Sequence, residues 1–173
     1  VKNTLTEYGL ISKLLHWISA VLVFIQIPLG FYLVDLDFGP ERLTIEDIHV
    51  AVGLSIFYLV ILRLLNNVFN PTPKLEPSVF KGQKFLAKLN HILLYVTILS
   101  ITISGIFKKL FNDETLTIVF KKIKIQDNFD LGELFYDIHV ISNYILIALI
   151  IIHILAVITH RLFFSDNLLK RML

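Results

Sequence analysis

Six histidines, His16, His49, His91, His139, His153 and His160, all fall within or at the edge of long apolar runs. An imidazole can ligate a transition metal, exchange a proton near neutral pH, or bond a neighbouring helix. A single one in an apolar run reads equally well as a helix-to-helix hydrogen bond. Six in register point to function, because ionisable groups are costly in hydrocarbon. His139 and His153 are fourteen residues apart. At ~100° per residue they share one helix face, roughly 21 Å apart along the axis. A metal ion needs its ligands within ~2.0–2.3 Å, so these two cannot hold the same one. Their spacing permits two separate centres stacked along a helix.

The elements that must position these residues are membrane spans. The chain has 173 residues, 55% of them hydrophobic and only 17% charged, with a mean hydropathy of +0.74. A soluble domain carries about 25% charge. Sixteen Lys and Arg against fourteen Asp and Glu leave a net charge of +2. With no basic patch interleaved with aromatics, that excludes nucleic-acid binding. Cysteine is absent, which excludes disulfides, thiolate catalysis, iron–sulfur clusters and Cys-ligated haem. Apolar runs over 10–34, 45–69, 85–107 and 134–164 each reach the ~20 residues that cross a ~30 Å hydrocarbon core, so each is expected to be a helix. The fourth is long enough to tilt or project. The first has no small-residue cleavage site and is expected to remain as a span. The expected fold is all-α, an integral membrane four-helix bundle, and residues 1–173 read as a single four-span domain.

Four spans put both termini on one side. Ten of the sixteen basic residues lie there with only three of the fourteen acids. The positive-inside rule then places both termini in the cytoplasm of a multi-pass protein. Orientation sets depth. His49 and His139 lie near the outer face, whereas His16 and His153 lie toward the inner face. Depth therefore pairs His49 with His139 and His16 with His153. Each pair offers two imidazoles from facing helices, and a flat macrocycle fits between them. Two haems between helices, each with two axial histidines, are expected. Filled axial positions favour one-electron transfer over oxygen binding. Gly53, one turn beyond His49, leaves room for a haem edge or for close helix packing.

The sequence resembles the bacterial cytochrome b561 family. The residues that carry the likeness are His16-Trp17, Ile48-His49-Val50, Arg63-Leu-Leu, Asn70-Pro-Thr-Pro73, Asn90-His91 with Tyr95, Ile138-His139, His153, His160 before Phe163, and the closing stretch 166–172. The likeness covers nearly the whole chain. It implies two haem b groups with His16, His49, His139 and His153 as ligands of their iron, in agreement with depth. It also implies a bacterial inner (plasma) membrane location and ubiquinone as a partner. One branch of the family resembles a superoxide oxidase that sends the electron to ubiquinone.

Other residues gain roles from position. Arg63, fourteen residues after His49, is a candidate partner for an inner haem propionate. His91 and His160 read equally as residues flanking an inner-side quinone site or as partners of a haem propionate or backbone carbonyl, and Lys74 is a weaker quinone-side candidate that reads first as solvated loop charge. Gln26 and Ser19 read as helix-to-helix or helix-to-haem bonds, and Pro28 as a kink. Lys108, Lys109, Lys121, Lys122 and Lys124 in the outer connection read first as a solvated loop; alternatively they could steer a small anion such as superoxide, opposed by Asp113, Glu114, Asp127 and Asp130. The expected function is electron transfer between an outer donor, superoxide, and ubiquinone. The competing readings are a cytochrome b subunit docked to a partner dehydrogenase as protein redox partner, and a transporter or metal carrier using intramembrane histidines.

Overall fold

The structure is a computed structural model that describes residues 2–73, 82–112, 114–118, 121–163 and 172. The expected contributions of Lys74 and of 166–171 lie outside the described residues. Four long helices form: α1 (Leu10–Asp35), α2 (Pro40–Phe69), α3 (Gln83–Phe111) and α4 (Phe129–Phe163). A small antiparallel hairpin, β1 (Leu116–Ile118) and β2 (Lys121–Ile123), stands between α3 and α4. All four helices are long and apolar enough to cross a bilayer, and the protein is an integral membrane four-helix bundle.

The helices overrun the apolar segments for local reasons. Pro40 opens α2, where its missing N–H would have had no helical partner. Asn128 opens α4, taking the Leu131 N–H on its side-chain oxygen at 3.1 Å, as a helix-capping residue does. The short turn between α1 and α2 is pinned by Arg42, which donates to the Leu36 carbonyl and lies 4.7 Å over the Phe38 ring. α1 runs unbroken through Pro28.

Few apolar side chains are buried. Val23, Ile56, Val60 and Leu146 form a core at mid-bundle, while Phe24, Ile25, Ile145 and Ile152 face outward. Lipid is as apolar as these side chains, so packing rather than water exclusion holds the helices together. The α3–α4 seam uses small polar residues accordingly. Ser104 and Ser142 are buried, and the Ser100 and Ser142 hydroxyls meet at 3.0 Å. α3 packs along α4, α1 along α2, and α2 along α3, but α4 barely approaches α1 or α2. The bundle is thus two helix pairs joined by the α2–α3 contact, with a slot between α4 and the first pair.

Below, the end carrying the β-hairpin is the hairpin end, and the end where α1 starts and α4 finishes is the terminal end. At the terminal end Asn3 accepts from Gly9 N and Ser12 Oγ and donates to the Pro71 carbonyl. Trp17 donates to the Met172 carbonyl at 2.8 Å. Asn3 is thereby tied to the start of α1 and to Pro71, and Met172 to the residue beside His16.

Candidate functional site

At the hairpin end, α2 and α4 present His49 and His139 across the slot, ring centroids 6.2 Å apart. Two imidazoles bound on opposite sides of one metal, with bonds of ~2 Å, place their centroids roughly 6 Å apart. The separation therefore suits a shared iron. His139 Nδ1 lies 2.8 Å from the Ile101 carbonyl of α3. A carbonyl only accepts, so Nδ1 carries the proton and Nε2 keeps its lone pair for a metal. The His49 Nδ1 is buried without a hydrogen-bond partner among the described residues. The backbone of His49 is held by Gln26, which donates to its carbonyl at 2.9 Å.

A cavity of about 360 Å³ surrounds the pair and draws lining from all four helices. Its walls are cut back at glycines. A Cβ on Gly30 would lie 3.1 Å from the His49 ring, and one on Gly105 would lie 3.1 Å from the ring of His139. Gly53 also lines the cavity, and a Cβ there would press on the Gln26 amide at 3.3 Å. Gly53 thus serves both helix packing and the cavity wall.

Charged residues and the hairpin form the rim. Glu46, Lys108, Lys109 and Leu116 line the cavity. Lys109 is mostly buried, bonded to Glu46 at 3.2 Å and also to Glu114, and Lys108 stands 3.9 Å from Glu46. Two of the five lysines that could have steered anions are therefore neutralised in place, since a poorly hydrated ammonium needs a paired carboxylate. Lys121 and Lys122 on β2 are exposed.

The terminal end gathers His16, Arg63, His91 and His153. Arg63 reaches from α2 to α1, with Nη2 3.0 Å from His16 Nδ1 and Nη1 donating to Ser19 Oγ at 3.0 Å. Its guanidinium also stands 5.3 Å from the Tyr95 ring centre. Guanidinium only donates, so His16 Nδ1 accepts and its proton sits on Nε2. Iron binding through His16 Nε2 thus requires Arg63 to leave Nδ1. His153 is within electrostatic reach of His16, while His91 meets its ring edge-on at 5.2 Å. Asn90 Nδ2 lies 3.5 Å from His153 Nδ1. The donor set suits a second iron, on condition that Arg63 turns away. Of the two residues expected at a quinone site, His91 is exposed and His160 is buried in the last turn of α4. Among the described residues no three His, Cys, Asp or Glu side chains converge as a bare-ion site.

One register runs through all four helices. His16 and Gly30, His49 and Arg63, His91 and Gly105, and His139 and His153 are each fourteen residues apart. Each helix gives one residue to each end. Gly30 and Gly105 escaped the sequence reading, although the same count from His16 and His91 points to them.

The chain is similar in sequence to known proteins. The profile of prokaryotic cytochrome b561 matches residues 7–173. Cytochrome b561 homolog 2 of Escherichia coli is 31% identical over 104 residues, covering 60% of this chain and 55% of that protein, so the match spans little more than half of the relative. A Yersinia pestis protein named "Probable superoxide oxidase CybB" is 27% identical over 96% of both chains. The chain belongs to the prokaryotic cytochrome b561 family, whose members bind haem b and transfer electrons in membranes.

Proposed function

We propose that the chain holds two haem b groups, one between His49 and His139 and one between His16 and His153, and that it passes single electrons across the bilayer from superoxide to ubiquinone. The 6.2 Å separation of His49 and His139 carries this reading. It is supported by the cavity around them and by the name of the Yersinia relative. When bound, each haem would supply reversible one-electron chemistry, with His49 and His139 holding one and His16 and His153 the other.

The protein's own groups do the rest. The Ile101 carbonyl holds the His139 tautomer that leaves Nε2 bare. Gly30 and Gly105 leave the space beside the rings. Arg63, turned off His16, would hold a propionate at the terminal end. Val23, Ile56, Val60 and Leu146 fill the bundle between the two sites and exclude water. His91, exposed beside His153 with Nδ1 on the Ala87 carbonyl, would donate from a protonated Nε2 to a ubiquinone carbonyl. His160, buried in the last turn of α4, is the second candidate for that site. By the positive-inside count the hairpin end is the outer one and both termini are cytoplasmic, in a bacterial inner membrane. Two superoxide ions then each lose one electron to become oxygen, and one ubiquinone takes up both electrons and two protons.

The test is direct. The purified protein should be red, hold two haems per chain by pyridine haemochrome, and reduce ubiquinone when superoxide is supplied. Two haems without superoxide-driven quinone reduction would retain the haem assignment and discard the donor. His91→Ala with both haems present and unchanged ubiquinone turnover would remove His91 from the quinone site.

A further inference from the structure

α3 supplies no expected iron ligand, yet both α4 ligands turn their Nδ1 atoms to it. His139 Nδ1 meets the Ile101 carbonyl at 2.8 Å, and His153 Nδ1 faces the Asn90 amide at 3.5 Å. Asn90 and Ile101 are eleven residues apart, about three turns, so they share one face of α3. The Asn90 contact has two faults. It sets an amide NH₂ against Nδ1, which would put the His153 proton on Nε2 and block that nitrogen. It also leaves Asn90 Oδ1 buried with no hydrogen-bond partner among the described residues. A half-turn of the amide lifts the block on Nε2 and gives Oδ1 a partner, because Oδ1 then accepts from Nδ1–H.

We infer that Asn90 is a positioning residue for His153: its Oδ1 accepts the His153 Nδ1 proton, fixes the ring's tautomer and aims a bare Nε2 at the terminal-end iron. The assignment rests on the two-haem reading above. An acceptor at Nδ1 makes the imidazole a stronger electron donor, which favours the ferric state and lowers the potential. Asn90 thereby does for His153 what the Ile101 carbonyl does for His139, with one difference. A backbone acceptor is fixed, whereas Asn90 can be exchanged for a stronger acceptor or for none.

The experiment is a redox titration of the haem-loaded protein in detergent beside Asn90→Leu and Asn90→Asp, with each spectral band assigned from His139→Ala and His153→Ala. Leucine matches asparagine in size and accepts nothing; aspartate accepts more strongly. In Asn90→Leu the terminal-end haem should titrate at higher potential and dissociate roughly 10–100-fold more readily. In Asn90→Asp the same band should move to lower potential, and the hairpin-end band should stay in place in both. Opposite shifts confined to one haem are not what a packing defect produces. Should Asn90→Leu release that haem entirely, the downward shift in Asn90→Asp decides. Wild-type behaviour in both variants, shifts of the same sign, or movement of the hairpin-end band overturns the role of Asn90. Fewer than two haems in the wild type overturns the reading beneath it.

Discussion

The two ends of the bundle use the same four helices and the same fourteen-residue register, yet they are built in opposite ways. At the hairpin end the register positions of α1 and α3 are Gly30 and Gly105, and space opens beside His49 and His139. At the terminal end the same positions are His16 and His91, and His16 meets Arg63 while His91 meets the His153 ring. Charge differs as well. The hairpin-end lysines Lys108 and Lys109 are matched by Glu46 and Glu114, whereas Arg63 makes no ion pair among the described residues and faces an imidazole. One end is thus shaped to receive a planar group, and the other carries a cation that a bound group's carboxylate would satisfy.

The comparison breaks most severely at the ligands. His139→Ala should abolish the hairpin-end haem and keep the other, and His153→Ala should do the reverse. Haem-to-protein ratio and redox titration read both. Loss of both haems from each single variant would mean the ends are not independent sites.

Next come the glycines. Gly105→Leu puts a side chain where even a Cβ would lie 3.1 Å from the His139 ring. Overpacking of this kind costs about 1–3 kcal/mol, so hairpin-end haem affinity should fall roughly 10–100-fold. Gly105→Ala asks only a small shift of the ring and should cost far less. Both variants should leave the terminal-end haem unchanged. An equal loss at the two ends would show that the glycines serve helix packing alone.

Much of this was legible before any coordinates. Apolar runs of membrane length fix four helices, and the 3.6-residue repeat puts His139 and His153 on one face whatever the side chains around them do. Depth then paired His49 with His139, and their rings do meet. The partner of Arg63 was not legible. The count put it at the terminal end, but whether a guanidinium rests on an imidazole or on a propionate is decided by angstrom-scale competition within one site. The β-hairpin was missed because three-residue strands carry no periodic signal. The Lys109 pairing needed Glu46, distant in sequence, to arrive by tertiary packing.

A smaller effect tests the charge contrast. Arg63→Gln removes a positive charge that stabilises the reduced haem, so the terminal-end haem should titrate at lower potential. A charge a few ångströms away in partly screened surroundings is worth on the order of 1–4 kcal/mol, about tenfold or more in the ratio of reduced to oxidised haem. Arg63→Lys should restore most of it. At the hairpin end Lys109→Gln leaves Glu46 with Lys108, so its haem should move less than the terminal-end haem does in Arg63→Gln. A larger shift there would reverse the contrast between matched and unmatched cations.

The smallest effect belongs to the seam that carries both α4 ligands. Ser142→Ala removes the 3.0 Å contact with Ser100 between α3 and α4. Such bonds average about 0.6 kcal/mol between membrane helices, so melting in detergent should fall by only a degree or two. Both haem potentials should hold, because His139 and His153 are aimed by Ile101 and Asn90 rather than by the serines. A potential shift at either haem in this variant would mean that the α3–α4 register itself, and not the acceptors α3 presents, sets the rings.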